Sequence, residues 1–438
     1  MNLSSFHQQG GSGLFTRGRR IYCNPHVNLS FYVPEGVTKI FAFALGAGGG
    51  GKARKANNDE YLASRGGGGG YASGIISGLT PGSTITCTIG AGGVGHTPST
   101  SVGAGGTTSF GSYLTANGGG AGVQHNTYNS NFTYATKSGQ GGSASTSGVT
   151  QAVTHAGGGT SPGYTDTSNI YGYRGGAGGG ASSGSPWGPG TSIPSITGQM
   201  AVGGAGWGSN MHQNAPVRGF MSSSASAKWA ATAGDGSHNI SSQFNGLKYD
   251  NFTNGGNCKG GNGFTARGGS FTASSNERYI ESSSNAHAAA VGNNDFHNNG
   301  ENGNPNWWFP WEIDGGGGGS RVQMQTNSNN KHEAFIRGGD GGPGAGGGGC
   351  TTTSSSDNPM YYEYNSKGGD GGIGGGGGGN YSKSSASNDG GYPAGRAAGH
   401  GGLGGGGGGV YTYPSNDRGS NNTYQAGNGG NGLIIVYW

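Results

Sequence analysis

Glycine supplies 107 of the 438 residues, close to one in four against a usual ~7 %. Charged residues make up 10 % and hydrophobic residues 30 %, so neither a large oily core nor a densely charged surface is available, and most ordinary enzymes are excluded. The formal charge of +4, from 23 basic and 19 acidic residues, is too dilute for a nucleic-acid footprint.

Residues 1–28 read as an N-terminal arm and a possible attachment segment. The start MNLSSFHQQGGSG lacks the basic-then-apolar run of a secretory signal, which disfavours export by the general secretory route. Arg17, Arg19 and Arg20 would either dock an acidic partner or ride on a solvated arm. No stretch of about 18 apolar residues is present to span a bilayer.

Residues 29–120 read as a small β-rich unit. In KIFAFAL, Ile40, Ala42 and Ala44 alternate with Phe41, Phe43 and Leu45, a period of two. Ile75 and Ile76 precede the turn Thr80-Pro81-Gly82-Ser83, after which Ile85, Cys87 and Ile89 alternate with threonines; this predicts a β-hairpin. From 121 to 314 Ser, Asn, Thr and Tyr dominate, with short glycine clusters, and loops are expected. Within that region Trp307, Trp308 and Trp311 form an aromatic cluster, either a local mini-core or a binding anchor. The chain ends in Leu433-Ile-Ile-Val-Tyr-Trp438, too apolar to leave in water, which is expected to pair with the N-terminal sheet. Helix signals are almost absent.

The strongest internal signal lies in 338–409, within a region of glycine-rich repeats spanning 315–432. Runs starting at Gly341, Gly371 and Gly401 are spaced 30 residues apart, and Arg337-Gly-Gly-Asp340-Gly-Gly-Pro343 is matched by Lys367-Gly-Gly-Asp370-Gly-Gly-Ile373. The third copy keeps Ala397, His400 and Leu403, with Ala398 as a break; side chains thus recur every third position. Two bare residues between side chains fit a left-handed polyproline-II-type helix of three residues per turn, here polyglycine II. Neighbouring helices could then approach closely and pair N–H with C=O. Flexible linkers have the same composition but need no register, whereas this spacing is kept over three copies. Collagen is excluded, because the pattern is Gly-Gly-X and prolines number only 15. In this reading Gly341, Gly371, Gly401, Asp340 and Asp370 are scaffold residues, the two carboxylates being solvated or bonded to loops at rod ends. The fold class expected is all-β plus polyglycine II: a small β-sandwich-like unit closed by the C-terminal strand at 433–438, a bundle of glycine-rich left-handed helices, and long surface loops.

Motifs that carry chemistry elsewhere do not stand up here. Gly159-Thr-Ser-Pro-Gly163 has the nucleophile-elbow spacing without its strand and helix. Gly51-Lys52 is followed by Ala53 where a phosphate loop wants Ser or Thr. Eleven histidines show no metal-type cluster, and Cys23, Cys87, Cys258 and Cys350 form no C-x-x-C pair, so their disulfide state stays open. No pair of carboxylates stands out for glycan hydrolysis. No catalytic residue, cofactor or metal is expected.

The segments between glycine runs carry Tyr361, Tyr362 and Tyr364, then Tyr381 and Tyr392, then Tyr411, Tyr413 and Tyr424. Tyrosine offers rigid amphipathic contact area while Ser and Asn adapt their hydrogen bonds, the mixture that antibody loops use. These tyrosines, with Trp307, Trp308 and Trp311, are the candidate partner contacts.

The frame FYVPEGVTKIFAFALGAGGGG, then GGGGGYASGIISGLTPGSTITCTIGAGGVG, TTSFGSYLTANGGG and GNGGNGLIIVYW resembles the glycine-rich domain of bacteriophage tail-fibre and adhesin proteins. The later runs look like the polyglycine-II sandwich of T-even-type tail-fibre tip adhesins, whose loops contact bacterial outer-membrane receptors. The resemblance implies a virion-surface or extracellular, oligomeric structural protein binding a bacterial surface protein or glycan, with neither nucleic-acid partner nor membrane span. The alternative is a self-assembling subunit of an extracellular filament or coat, its loops making subunit contacts.

Overall fold

The computed structural model of the chain describes residues 18–55, 62–122, 139–159, 176–177, 179–186, 188–190, 199–201, 203–207, 219–221, 229–232, 305–308, 312–315, 321–325, 334–342, 344–354, 364–384, 396–414 and 424–438. Among the described residues all regular structure is β and none is helical. The first strands are β1 (Arg19–Tyr22), β2 (His26–Tyr32), β3 (Lys39–Leu45), β4 (Ala53–Lys55), β5 (Leu62–Ala63), β6 (Tyr71–Ser77), β7 (Thr84–Ile89), β8 (Thr108–Phe110), β9 (Leu114–Ala116), β10 (Ala144–Thr146) and β11 (Thr150–His155). The middle of the chain gives β12 (Gly176–Ala177), β13 (Gln199–Ala201), β14 (Gly219–Met221), β15 (Trp229–Thr232), β16 (Pro305–Trp308) and β17 (Glu312–Gly315). The repeat region adds β18 (Arg321–Gln325), β19 (Ala334–Arg337), β20 (Cys350–Ser354), β21 (Tyr364–Lys367), β22 (Asn380–Ser384), β23 (Arg396–Ala397), β24 (Val410–Pro414), β25 (Tyr424–Gln425) and β26 (Leu433–Tyr437).

Two antiparallel sheets, ordered β1-β26-β3-β6-β11 and β10-β9-β8-β7-β2, share one hydrophobic cluster. Ile40, Ala42, Ala44, Ile434 and Val436 meet Phe31, Ile85, Cys87, Phe110 and Leu114 there. The alternate residues Phe41, Phe43, Leu45, Leu433 and Tyr437 face the other way, into a second cluster with Tyr71, Ile75 and Trp207. The first sheet is therefore buried on both faces, which is why KIFAFAL and LIIVYW carry apolar residues at consecutive positions. The C-terminal strand pairs antiparallel with β3, Ile435 opposite Phe43, as its hydrophobicity requires.

The expected hairpin at 80–83 is corrected. The turn is there, with Ser83 N–H donating to Thr80 O and Gly82 at φ 78° as a type II turn demands. However, β6 pairs with β3 and β11, while β7 pairs with β2 and β8. The turn carries the chain from one sheet to the other, so that Ile76 and Ile85 meet across the shared core instead of along a ladder. Arg19 and Arg20 likewise lie in β1, paired with Tyr437 and Val436, rather than on a free arm. Between 121 and 314, where the composition points to loops, the described residues include β10 to β16 and glycine runs.

The glycine runs form the third layer. In run 46–52 the partners of successive N–H groups rotate with a period of three: Gly46, Gly49 and Lys52 donate to Gly70, Gly67 and Ser64; Ala47 and Gly50 to Gly106 and Gly103; Gly48 and Gly51 to Gly430 and Gly427. One run thus joins three neighbours, each through every third residue. The 30-residue repeats do the same: Gly338, Gly341 and Gly344 donate to Lys367, Asp370 and Ile373, and Gly368, Gly371 and Gly374 to Ala397, His400 and Leu403. Each repeat doubles back at Gly344, Gly374 or Gly404, with φ of 77°, 76° and 79°, a conformation that L side chains resist. Glycine also sets the spacing between runs. A Cβ on Gly376 would land against the carbonyl of Gly180, and one on Gly430 against that of Gly402, closer than the 3.0 Å that real Cβ atoms keep.

The turn end of the bundle sits on the first sheet. Trp207 is 1 % exposed, donates its indole N–H to Ser183 Oγ at 2.6 Å, and closes over Gly374, while Ile373 and Leu403 pack against the same cluster as Phe43 and Tyr71. Three outcomes follow for denaturant unfolding of the full chain. Gly376→Ala should lose about 3 kcal/mol or more, because the clash is with backbone, whereas Gly82→Ala, in open space, should lose only about 1–2 kcal/mol from its positive φ. Trp207→Ala should lose about 3–5 kcal/mol through the cavity it leaves at the seam.

Candidate functional site

The end of the bundle remote from the two antiparallel sheets is built from parallel strands in register. β18, β20, β22, β24 and β4 form one sheet in that order, with Gln325, Ser354, Ser384 and Pro414 side by side at its end and Lys55 beside Thr412. The returning strands β19, β21, β23 and β25 form another parallel sheet, with Ala334 opposite Tyr364 and Arg396 opposite Tyr424. The strand ends that flank 56–61, 326–333, 355–363, 385–395 and 415–423 therefore lie at one end of the molecule, opposite Gly344, Gly374 and Gly404.

The candidate tyrosines that are described sit at this end in several different settings. Tyr361, Tyr362, Tyr392 and Trp311 lie outside the described residues. Tyr364, Tyr381 and Tyr413 occupy β21, β22 and β24 and not the expected loops; Tyr381 is in register with Tyr411 and Tyr413 with Lys383. Tyr411 is wholly buried, so it packs within the sheet and offers no surface. Tyr424 is half-buried in β25, its ring stacked on His96 at 6.1 Å between centroids and 19° between planes. Trp307 and Trp308 belong to a hairpin, paired with Ile313 and Glu312. The tyrosines of the strands are thus part of the platform from which the intervening segments spring.

The scaffold residues come together as a ladder. Asp340, Asp370, His400 and Asn428 occupy equivalent positions in four adjacent runs. Asp370 N–H donates to Asp340 Oδ1 at 2.7 Å, His400 N–H to Asp370 Oδ1 at 2.7 Å, Asn428 N–H to His400 Nδ1 at 2.9 Å, and Gly95 N–H to Asn428 Oδ1 at 2.7 Å. The carboxylates are therefore not solvated groups at rod ends: they sit mid-run and hold the next backbone. One turn away along the run, Arg337 pairs with Asp340, and Lys367 with Asp370 at 2.7 Å. Gly341, Gly371 and Gly401 lie directly after the ladder residues and donate to the neighbouring run. Sequence reasoning does not single out His400, Asn428 or Trp207 as ladder and seam residues, although the three-residue spacing of Asn428 and Asn431 and the bulky residue ending Gly203-Gly-Ala-Gly-Trp207 carry the signal.

Among the described residues, no group of three or more His, Cys, Asp or Glu could hold a metal, and no helix is long and apolar enough to cross a membrane. Cys23 and Cys87 are in no disulfide, and burial pushes the Cys87 thiol up to about 12, far from a reactive thiolate. Cys258 lies outside the described residues.

If the ladder residues act as backbone acceptors, Asp370→Asn should cost no more than about 1 kcal/mol, since it loses a half-exposed ion pair but keeps an oxygen for His400 N–H. Asp370→Ala should cost about 1–3 kcal/mol by orphaning that N–H. Denaturant midpoints of the two variants give the comparison.

No curated protein matches the chain. A family model described as glycine-rich domain matches residues 26–270, more than half of the chain, covering both antiparallel sheets except β1 and β26 and the first glycine runs but not the 30-residue repeats. On that match, the chain belongs to the glycine-rich domain family.

Proposed function

We propose that this is a non-enzymatic structural and receptor-binding protein of the tail-fibre or adhesin kind, at a virion surface or outside the cell. In this reading the glycine runs are a polyglycine-II bundle standing on a β-sandwich closed by β26, and the Tyr-, Asn- and Ser-rich segments of its far end recognise a bacterial surface protein or glycan. The observation that carries the reading is the arrangement of the strands that lead into those segments: five parallel strands in register end side by side at one end, with the anchoring sheets at the other. A rigid platform with variable connections is how binding surfaces are generally built.

The three-residue rotation of hydrogen-bond partners supports the polyglycine-II assignment, because a helix of three residues per turn presents each third residue to the same neighbour. Against the filament alternative, the edge strands β2 and β11 each carry a register shift beside a non-glycine residue of positive φ, Asn28 at 58° and Gln151 at 52°. Bulges of this kind blunt edge-to-edge strand addition.

The test is binding of the purified full chain to a panel of bacterial cells, with Tyr361, Tyr362 and Tyr392 replaced by serine in the variant. Expected is a discrete particle in electron microscopy that binds some cells, with binding reduced at least tenfold in a variant that melts like the parent, and no release of sugar fragments from the cells. Filaments from the pure protein without cell binding would instead establish the subunit reading.

A further inference from the structure

We propose that His400 makes its rung to Asn428 acid-sensitive, because it is the ladder acceptor that a proton can abolish near neutral pH. The inference is independent of what the far end binds. In the ladder, Asp340, Asp370 and Asn428 accept through carboxylate or amide oxygens, whereas His400 accepts through a ring nitrogen. His400 accepts the Asn428 N–H through Nδ1, which fixes the ring as neutral with its hydrogen on Nε2. A proton on Nδ1 would set two N–H donors against each other across that same gap.

The surroundings favour the neutral ring. Burial has the largest effect and opposes the charged form; from the neighbouring run Asp370 favours it and Lys367 opposes it, and the net effect holds the pKa below 6.5. The run 426–432 contributes only uncharged Asn428 and Asn431 at its ladder positions, the run 405–409 is all glycine, and His400 lies in the run that follows β23, which carries the cation Arg396. A second histidine contacts the same stretch of chain, 424–426. His96 stacks on Tyr424, its carbonyl accepts the Ala426 N–H, its Nδ1 is buried without a hydrogen-bond partner, and burial with Lys52 nearby lowers its pKa as well.

The direction of the effect follows from linkage. The folded chain binds this proton less readily than the unfolded chain, so the stabilisation is fully present above about pH 6.5 and is lost as pH falls through the lowered folded value. The run 426–432 leads directly into β26, the strand lying between β1 and β3. Acid would therefore loosen the bundle at the rung joined to the core of the sheets.

Hydrogen exchange of the full chain, read on peptides covering 424–432 and corrected for the intrinsic pH dependence, tests this at pH 7.5 and pH 5.0. Expected is exchange faster on the order of tenfold at the lower pH, with residues 367–373 unchanged. His400→Asn, which offers an amide oxygen to the Asn428 N–H, should remove most of the acceleration. Uniform acceleration of both runs, no acceleration, or equal acceleration in H400N would overturn the proposal. Should H400N not fold, the wild-type contrast between 424–432 and 367–373 decides alone.

Discussion

The whole architecture depends on backbone approaching backbone without a Cβ in between. Where runs cross-pair, the carbonyl oxygen of one sits where a side chain of its neighbour would begin, as at Gly48 against Gly405 or Gly204 against Gly376. At that separation the run 46–52 satisfies its N–H groups with three different neighbours. Substituting any interior glycine removes more than local freedom, because the neighbour's acceptor must move as well. A composition that makes most chains disordered is in this chain the condition for order.

Such a bundle is weak term by term. Ordering each residue costs on the order of 1–2 kcal/mol, more for glycine, and a hydrogen bond returns about 0.5–1.5 kcal/mol. The balance is supplied where side chains exist. The first sheet offers one face to the second sheet and the other to the turn end of the bundle, with Trp207, Ile373 and Leu403 bridging to Phe43, Tyr71 and Leu433. The ladder of Asp340, Asp370, His400 and Asn428 adds side-chain acceptors to positions that the main-chain lattice leaves over.

What is legible in the sequence follows from this division. β3 and β26 can be read because side-chain alternation reports which face is buried, and the repeat of 30 can be read because Asp340 and Asp370 mark it. The turn at 80–83 is legible locally, but the choice between continuing the same sheet and crossing to the opposite one is made by the shared core, not by the turn. The partner of a given glycine is illegible, since Gly46, Gly48 and Gly49 carry no side chain to distinguish the runs they face. Composition picks out the tyrosines, but it does not separate Tyr411, sealed inside a sheet, from residues of the connecting segments.

The rotation of hydrogen-bond partners also gives the bundle a direction-dependent mechanical strength. Bonds between runs lie across the long axis, several per neighbour, as with Gly46, Gly49 and Lys52 on the run 64–70. A load applied along the runs, from the far end toward the sheets, strains all of these bonds together in shear. A load that peels one run sideways meets them one at a time. A molecule gripped at its far end and held at its sheets would resist tension along its length far better than the strength of any one of its contacts implies, and would fail first by lateral unzipping.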